Sequence, residues 1–177
     1  MRPGSGEVLH FSEDPGITRF VPHVAATARV PGAYVWAVDH ARAPDYWFPR
    51  QCPRAMAWTT PDTTGADRLR LLGPVATRVH VVEYGWLERM RTVRLWAYRF
   101  AAADFVPIGD PPHASVATRE VTPLGPPEPV GDLFDLHEAA GIELRAVANL
   151  WPFWDAVVGS TVGHSGIRLR NAAPRPD

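Results

Sequence analysis

Alternating apolar and polar positions predict a chain made of short strands. Residues 8–12 alternate in this way, which assigns Leu9 and Phe11 to the core face and His10 and Ser12 to the other. Further segments rich in β-branched and aromatic residues predict strands at 34–39, 55–59, 78–82, 94–100, 116–122, 142–147 and 166–170.

Apolar residues at helical spacing predict helices at 83–91 and at 130–141, a cap and a Gly-Pro stop predict one at 62–72, and further helices are expected at 41–48 and 150–161. In the last of these, apolar residues cover most of the circumference, which predicts a helix buried in the core. Asn149 is its expected N-cap, and Pro152 falls in the first turn, where proline is tolerated. Strands outnumber helices without regular βαβ alternation. The fold class we expect is therefore α+β, with a mixed, mostly antiparallel sheet.

The chain length fits a single domain over residues 1–177, because neither a repeat nor a long linker divides its 177 residues. The end of the chain, 172–177, is expected to be frayed. With 46% hydrophobic and 21% charged residues, the composition excludes a disordered chain. No apolar run approaches the ~20 residues of a membrane span, and no signal-peptide core is present. The single cysteine, Cys52, has no partner for an internal disulfide, so a cytoplasmic location is expected.

The charges are nearly balanced, with 18 cations against 19 carboxylates. This balance argues against a dedicated nucleic-acid binder, which usually carries a basic stripe. All 18 cations are arginines. The base composition of a GC-rich genome accounts for such a pattern, and guanidinium groups also suit the binding of phosphates or carboxylates.

His10 is the first candidate for chemistry, since it would lie on the polar face of its strand beside Ser12. It could donate a hydrogen bond to a ligand hydroxyl or act as a base. The alternative is that it only caps the turn that follows.

The segment 39–54, DHARAPDYWFPRQCPR, is the second candidate. Tyr46 and the two aromatic residues after it are consecutive, so the three cannot all enter the core, and one left at a cleft wall could stack on a planar ring. Arg50 and Arg54 lie among prolines, and a stiff loop presents guanidinium groups at little entropic cost. The alternative is that the aromatic residues anchor the loop and the arginines are solvated. Cys52 between them is expected to be a small packed residue.

Other chemistry has weaker support in the sequence. Neither GxGxxG nor GxxxxGK[ST] occurs, and no histidine or cysteine cluster has metal-ligand spacing, so no metal site is predicted. His137 falls on an apolar helix face, where a satisfied core histidine is expected. Glu120 would point outward from the strand 116–122 and could reach a cleft. Glu128 and Glu83 are expected to start helices.

Three segments resemble a family of bacterial proteins of unknown function across nearly the whole chain. They are LHFSEDPGITRFVP, VWAVDHARAPDYWFPRQCPR and EPVGDLFDLHEAAGIELR followed by NLWPFWDAVVGSTVGHSGIRLRNA. This resemblance implies no particular activity.

A second resemblance is to the ADP-ribosyltransferase superfamily, whose members open with a strand ending in histidine. LHFS at residues 9–12 looks like that strand, the segment ending on Tyr46 is similar to the stacking element, and Glu120 matches the late acidic residue. The resemblance implies a split sheet and NAD as cofactor. It also implies that His10 binds a ribose hydroxyl, Tyr46 stacks on nicotinamide and Glu120 polarises the ribose. The usual sequence around the catalytic glutamate is absent here. Related phosphotransferases use histidine and arginine instead, which would favour Arg50 and Arg54.

Two functions therefore stand side by side. One is an ADP-ribosyltransferase-like enzyme that binds NAD or a related nucleotide near His10 and Tyr46, with Ser12, Arg50 and Arg54 as further binding residues. The other is a non-catalytic module that binds a nucleotide or another small ligand.

Overall fold

The computed structural model describes residues 1–24 and 32–176 and confirms the α+β class. Within these ranges the strands are β1 (Glu7–Ser12), β2 (Val35–Ala37), β3 (Arg54–Trp58), β4 (Arg78–Glu83), β5 (Trp96–Ala101), β6 (Val106–Ile108), β7 (Ala114–Ala117), β8 (Glu128–Pro129), β9 (Glu143–Val147) and β10 (Gly163–Ile167). The α-helices are α1 (Gly65–Asp67), which continues as a π-helix over Arg68–Leu72, α2 (Leu87–Thr92), α3 (Leu133–Ala139) and α4 (Trp151–Val158). In the same ranges, no helix combines the length and the apolar character needed to cross a bilayer.

The chain packs as two compact units, each built from two separate stretches of sequence. Residues 1–50 and 93–131 form the first unit, and residues 51–92 and 132–177 form the second. The expectation of a single domain stays a prediction.

The first unit contains two antiparallel sheets, with strand orders β1-β5-β8 and β2-β7-β6. An antiparallel bridge between Leu9 and Val38 links β1 to the end of β2. In its core, the ring of Phe20 packs edge-on against Tyr98 and Phe100, with ring centroids 4.9 Å apart in each case. Because Val8 is as buried as Leu9, both faces of β1 are core faces. The simple alternation expected for β1, with one apolar and one polar face, is therefore wrong.

The second unit is built on a four-stranded sheet of order β10-β3-β4-β9, in which only the β4–β9 pair is parallel. One face of this sheet packs against α4 and the π-helix. Its buried cluster consists of Ala55, Ala57, Leu71, Leu72, Ala76, Val79, Val81, Leu150, Val157 and Val162. The opposite face carries His80, which contacts α3.

Helix α4 is less buried than its composition predicts. Within it only Val157 is buried, while Trp151 and Trp154 are half-buried and Val158 is 50% exposed. The prediction of a helix buried all round is wrong, because α4 turns one stripe toward the sheet and its indoles cover the edges of that contact. Its N-cap is Leu150 rather than the expected Asn149, although Asn149 Oδ1 accepts a hydrogen bond from the Trp151 amide at 2.9 Å.

Ala173 and Arg175 contact other parts of the second unit. The fraying expected for residues 172–177 stays a prediction, and Asp177 lies outside the described residues. The Trp151 indole donates to the Ala173 carbonyl at 2.8 Å, and the Ala173 amide donates to the buried carboxylate of Glu83. Arg175 makes two hydrogen bonds to Asp155, and its guanidinium lies 4.1 Å from the Trp151 ring centroid. These contacts give both backbone groups of Ala173 a protein partner.

Two strands are displaced from their expected positions. Strand β7 ends at Ala117, so Glu120 lies beyond it rather than on it. Strand β10 ends before Arg168, whose left-handed backbone (φ 58°) starts a 3-10 helix. A left-handed residue cannot continue an extended strand, which explains the early end.

Candidate functional site

His10 lies on β1 opposite Tyr98, and its hydrogen bonding defines which ring nitrogen is protonated. Its Nδ1 is 2.7 Å from the carbonyl oxygen of Trp36. A carbonyl only accepts hydrogen bonds, so Nδ1 carries the proton and donates. In the neutral ring, Nε2 then has a free lone pair and is an acceptor. The ring is half-buried, with Phe20 edge-on at 5.1 Å between centroids.

The surroundings of His10 keep the imidazole neutral. Burial lowers the pKa of His10 below its usual 6.5, and the positive charges of Arg50 and His23 lower it further, against a smaller raising effect of the Trp36 carbonyl. At neutral pH the ring can therefore accept a hydrogen bond from a ligand hydroxyl or act as a base. Of the roles expected for His10, the observed geometry favours accepting over donating.

Tyr46 ends a 3-10 helix over Ala43–Tyr46 and is the partly accessible member of the aromatic run. Trp47 and Phe48 are 1% and 2% exposed, whereas Tyr46 is half-buried. The indole N–H of Trp47 donates to the Met1 carbonyl at 3.0 Å, so this ring anchors the segment. As expected for consecutive aromatic residues, the three do not all enter the core.

Arg50 connects this segment to the end of β1. Its backbone amide donates to Glu13 Oε1 at 2.9 Å, and Glu13 directly follows the last residue of β1. Arg50 is exposed, and its charge acts on His10. His10, Tyr46 and Arg50 thus belong to the same unit, on two segments joined by this hydrogen bond.

Ser12 supports the turn that follows β1. It is buried, and its hydroxyl accepts the Asp14 amide at 3.1 Å. The Tyr98 hydroxyl donates to the Asp14 carbonyl at 2.7 Å and accepts the Ile17 amide at 3.0 Å. These bonds fix the backbone next to His10. A direct contact of Ser12 with a ligand stays a prediction.

Arg54 is not presented by a loop. It is 2% exposed at the start of β3, belongs to the second unit and donates to the Cys52 carbonyl at 2.9 Å. Cys52 is fully buried, and burial raises the pKa of its thiol to about 12. The thiol therefore stays protonated and unreactive at neutral pH, which suits a packed residue.

Glu120 is engaged in an ion pair on the surface. Both oxygens accept hydrogen bonds from Arg19, each at 2.7 Å. The antiparallel bridge between Phe20 and Val121 brings Arg19 and Glu120 close together, because each immediately precedes a bridged residue in the chain. Arg19 lowers the pKa of Glu120, so the carboxylate is ionised. A catalytic role for Glu120 stays a prediction.

Two features of the His10 environment carry no signal in the sequence. The Trp36 carbonyl that sets the tautomer is a backbone group, so residue types do not reveal it. The Phe20 ring comes from a segment ten residues further on, which is paired through Val121 with a distant part of the chain.

Comparison with known proteins places the chain in a family and gives no further likeness. No curated protein and no solved structure matches it significantly. A family model, described as a family of unknown function (DUF6886), matches residues 9–172 and thus nearly the whole chain. The chain therefore belongs to the DUF6886 family.

Proposed function

We propose that the first unit binds a small ligand of the nucleotide type, with NAD among the candidates, at His10, Tyr46 and Arg50. The observation that carries the proposal is the fixed tautomer of His10, which leaves the Nε2 lone pair as a hydrogen-bond acceptor in a half-buried setting. A half-buried acceptor of this kind suits a ligand hydroxyl, because pairing offsets the cost of removing it from water.

Each of the three residues supplies a different kind of contact. His10 Nε2 accepts a hydrogen bond from a ribose hydroxyl, and the Tyr46 ring stacks on a base or a nicotinamide. The Arg50 guanidinium pairs with phosphate oxygens. The positive charge that lowers the pKa of His10 is also the charge that would attract an anionic ligand.

We favour binding without turnover, because of the state of Glu120. Transfer of ADP-ribose would require a carboxylate that polarises the ribose, and Arg19 engages both oxygens of Glu120. The transferase activity, like the split sheet of that superfamily, remains the alternative. It would require the Arg19–Glu120 pair to open when the ligand binds.

The binding proposal is tested by calorimetric titration of the full chain with NAD, ADP-ribose and AMP. His10→Ala should weaken binding about tenfold, the equivalent of roughly 1.4 kcal/mol. Arg50→Gln should weaken binding of all three probes. His164→Ala, at an exposed histidine of the second unit, is the matched control and should bind as the unmodified chain does. A thermal melt of each variant separates loss of binding from loss of folding. Unchanged affinity in folded His10→Ala, or no binding of any probe, would refute the proposal.

Turnover is tested by incubating the chain with NAD and measuring released nicotinamide. The binding module releases none. Release that is abolished by Glu120→Gln, but not by the control Glu138→Gln at an exposed position of α3, would establish the transferase alternative instead.

A further inference from the structure

The backbone of Ala173 and Pro174 is bound by three side chains of the second unit. The Trp151 indole donates to the Ala173 carbonyl at 2.8 Å, and the Ala173 amide donates to Glu83 Oε1 and Oε2 at 3.1 and 3.0 Å. Asn149 Nδ2 donates to the Pro174 carbonyl at 2.8 Å. Proline has no amide N–H, so each backbone polar group of these two residues is paired.

The guanidinium of Arg175 is held by two side chains of α4. Trp151 and Asp155 are four positions apart in this helix and therefore lie on the same face. The two terminal nitrogens of Arg175 donate to the two carboxylate oxygens of Asp155 at 2.8 and 3.1 Å. The guanidinium carbon lies 4.1 Å from the centroid of the Trp151 ring. A carboxylate that accepts two parallel hydrogen bonds beside an aromatic face suits arginine better than lysine, whose ammonium cannot make the paired contact.

We propose that these side chains form a binding site for an arginine-bearing peptide of a partner protein, and that residues 173–175 occupy it as an internal competitor. This α4 site consists of Glu83, Asn149, Trp151 and Asp155. It contacts the backbone of the first two residues of its occupant and the side chain of the third. Main-chain hydrogen bonds give a peptide affinity that depends little on its sequence, and the side-chain contact gives specificity. The expected ligand is therefore a peptide with arginine at its third position.

The α4 site is held in place by contacts that do not involve its occupant. Glu83 is 7% exposed at the end of β4, and its Oε1 also accepts the Leu150 amide at 3.1 Å. Asn149 Oδ1 accepts the Trp151 amide at 2.9 Å. These bonds keep the carboxylate and the side-chain amide oriented when the occupant leaves, so the site needs little reorganisation to accept another peptide.

Residues 173–175 are a competitor that a partner can displace. The side chains of Arg175 and Asp155 are 56% and 53% exposed, and exposed ion pairs contribute little to stability. A bound peptide would replace the backbone hydrogen bonds of Ala173 and Pro174 one for one. Displacement is then decided by the contacts that the partner makes beyond the site and by its concentration, measured against the effective concentration of the attached segment.

A second copy of this chain is a poorer occupant than another protein. In each copy, residues 173–175 already make these contacts within their own chain. Exchange of the segments between two copies would form the same bonds again and would cost the entropy of association. The two carboxylates of the site, Glu83 and Asp155, define the chemistry of the partner, because they favour a cationic peptide.

The proposal is tested with the full chain and the peptide acetyl-Ala-Pro-Arg-amide, with the Trp151 indole N–H followed by ¹⁵N–¹H NMR. The double variant Ala173→Pro/Arg175→Ala vacates the α4 site, because proline has no amide for Glu83 and alanine has no guanidinium. Ala172 is already extended (ψ 161°), as the residue before a proline should be. An attached competitor acts at an effective concentration of about a millimolar or more, so its removal should tighten peptide binding about fivefold.

Three controls separate recognition of arginine from other effects of these changes. Arg170→Ala removes an exposed arginine that is not part of the α4 site, and it should bind the peptide as the unmodified chain does. In the double variant, a further Asp155→Asn change should weaken peptide binding about threefold, because the ion pair is lost. The same change should leave unaltered the binding of acetyl-Ala-Pro-Ala-amide, which has no guanidinium. A peptide with lysine in place of arginine should bind more weakly than the arginine peptide.

The proposal is overturned by equal peptide affinity in the double variant and the Arg170→Ala control, by binding that Asp155→Asn leaves unchanged, or by no shift of the Trp151 signal. A dimer of the unmodified chain in sedimentation, absent in the double variant, would assign the α4 site to a second copy instead. Thermal melts identify any variant that does not fold. If the double variant is unfolded, Arg175→Ala alone decides, and it should bind the peptide about twofold more tightly than the unmodified chain.

Discussion

Replacing Gly166 with alanine should destabilise the second unit, through a contact with one indole. A Cβ atom at this position on β10 would lie 2.7 Å from Cη2 and Cζ3 of Trp154, and 2.7 Å from a methyl group of Leu169. The Leu169 methyl can rotate away, whereas the Trp154 ring is rigid and packs against the core cluster of this unit. The indole must therefore shift to admit the new methyl group.

The expected magnitude follows from two opposing effects. Forcing a methyl group into a packed site costs about 1–3 kcal/mol, and replacing a strand glycine with alanine returns about 0.5–1 kcal/mol. Gly166→Ala should therefore lower the free energy of unfolding by about 1–2 kcal/mol. Trp154→Ala should cost about 2 kcal/mol, below the 3–5 kcal/mol of a fully buried aromatic residue, because this side chain is half-buried.

A double-mutant cycle isolates the contact between these two residues. With Trp154 already replaced, the methyl group of Gly166→Ala has room, so the double variant should be no less stable than Trp154→Ala alone. Urea unfolding followed by circular dichroism measures all four proteins. Gly85→Ala is the control, since a Cβ there would meet nothing within 4 Å, and its stability should not fall. Additive losses in the double variant would refute the contact.

Three further experiments test other parts of the structure. Cys52, which is fully buried with the pKa of its thiol raised to about 12, should react with a thiol reagent at pH 8 only as fast as the protein unfolds; rapid labelling of the native chain would contradict its placement. Tyr98→Phe should cost about 1–2 kcal/mol of stability in urea unfolding, because the Asp14 carbonyl and the Ile17 amide lose their partner; an unchanged midpoint would show that neither bond contributes. Arg175→Ala should cost less than about 1 kcal/mol, because this arginine is more than half exposed, and high salt should reduce that loss further; a larger, salt-independent loss would contradict the view of a surface contact.

Strands with regular alternation were predictable from the sequence, whereas short strands formed by pairing at a distance were not. The predicted segments at 78–82 and 142–147 correspond closely to β4 and β9, because apolar side chains in these strands face a core. Strands β6 and β8 have two or three residues each, rich in proline, and exist because β7 and β5 lie beside them. No local pattern encodes such a pairing.

For the candidate residues too, the sequence predicted an environment that depends on a local pattern and missed one that depends on distant contacts. That His137 is a satisfied core histidine is confirmed, since its apolar helix face was visible in the sequence. Its partner His80 lies 57 positions away, so only the fold reveals the pair. The expectation that Arg54 is presented by a stiff loop fails for a related reason. The strand β3 begins at that residue and takes the side chain into the interior.

Each unit is discontinuous in sequence, which limits how the chain can acquire its structure during synthesis. The first unit needs β5 to β8, so its sheet β2-β7-β6 is complete only when residue 117 has been made, and its sheet β1-β5-β8 only at residue 129. By then β3 and β4 have left the ribosome without their outer neighbours β9 and β10, which come last. One edge of β4 must therefore stay unpaired for about sixty residues, until β9, and one edge of β3 for about a hundred, until β10, a situation that favours aggregation. For the same reason, a fragment that ends at residue 131 holds the whole first unit but also carries residues 51–92, which belong to the second unit.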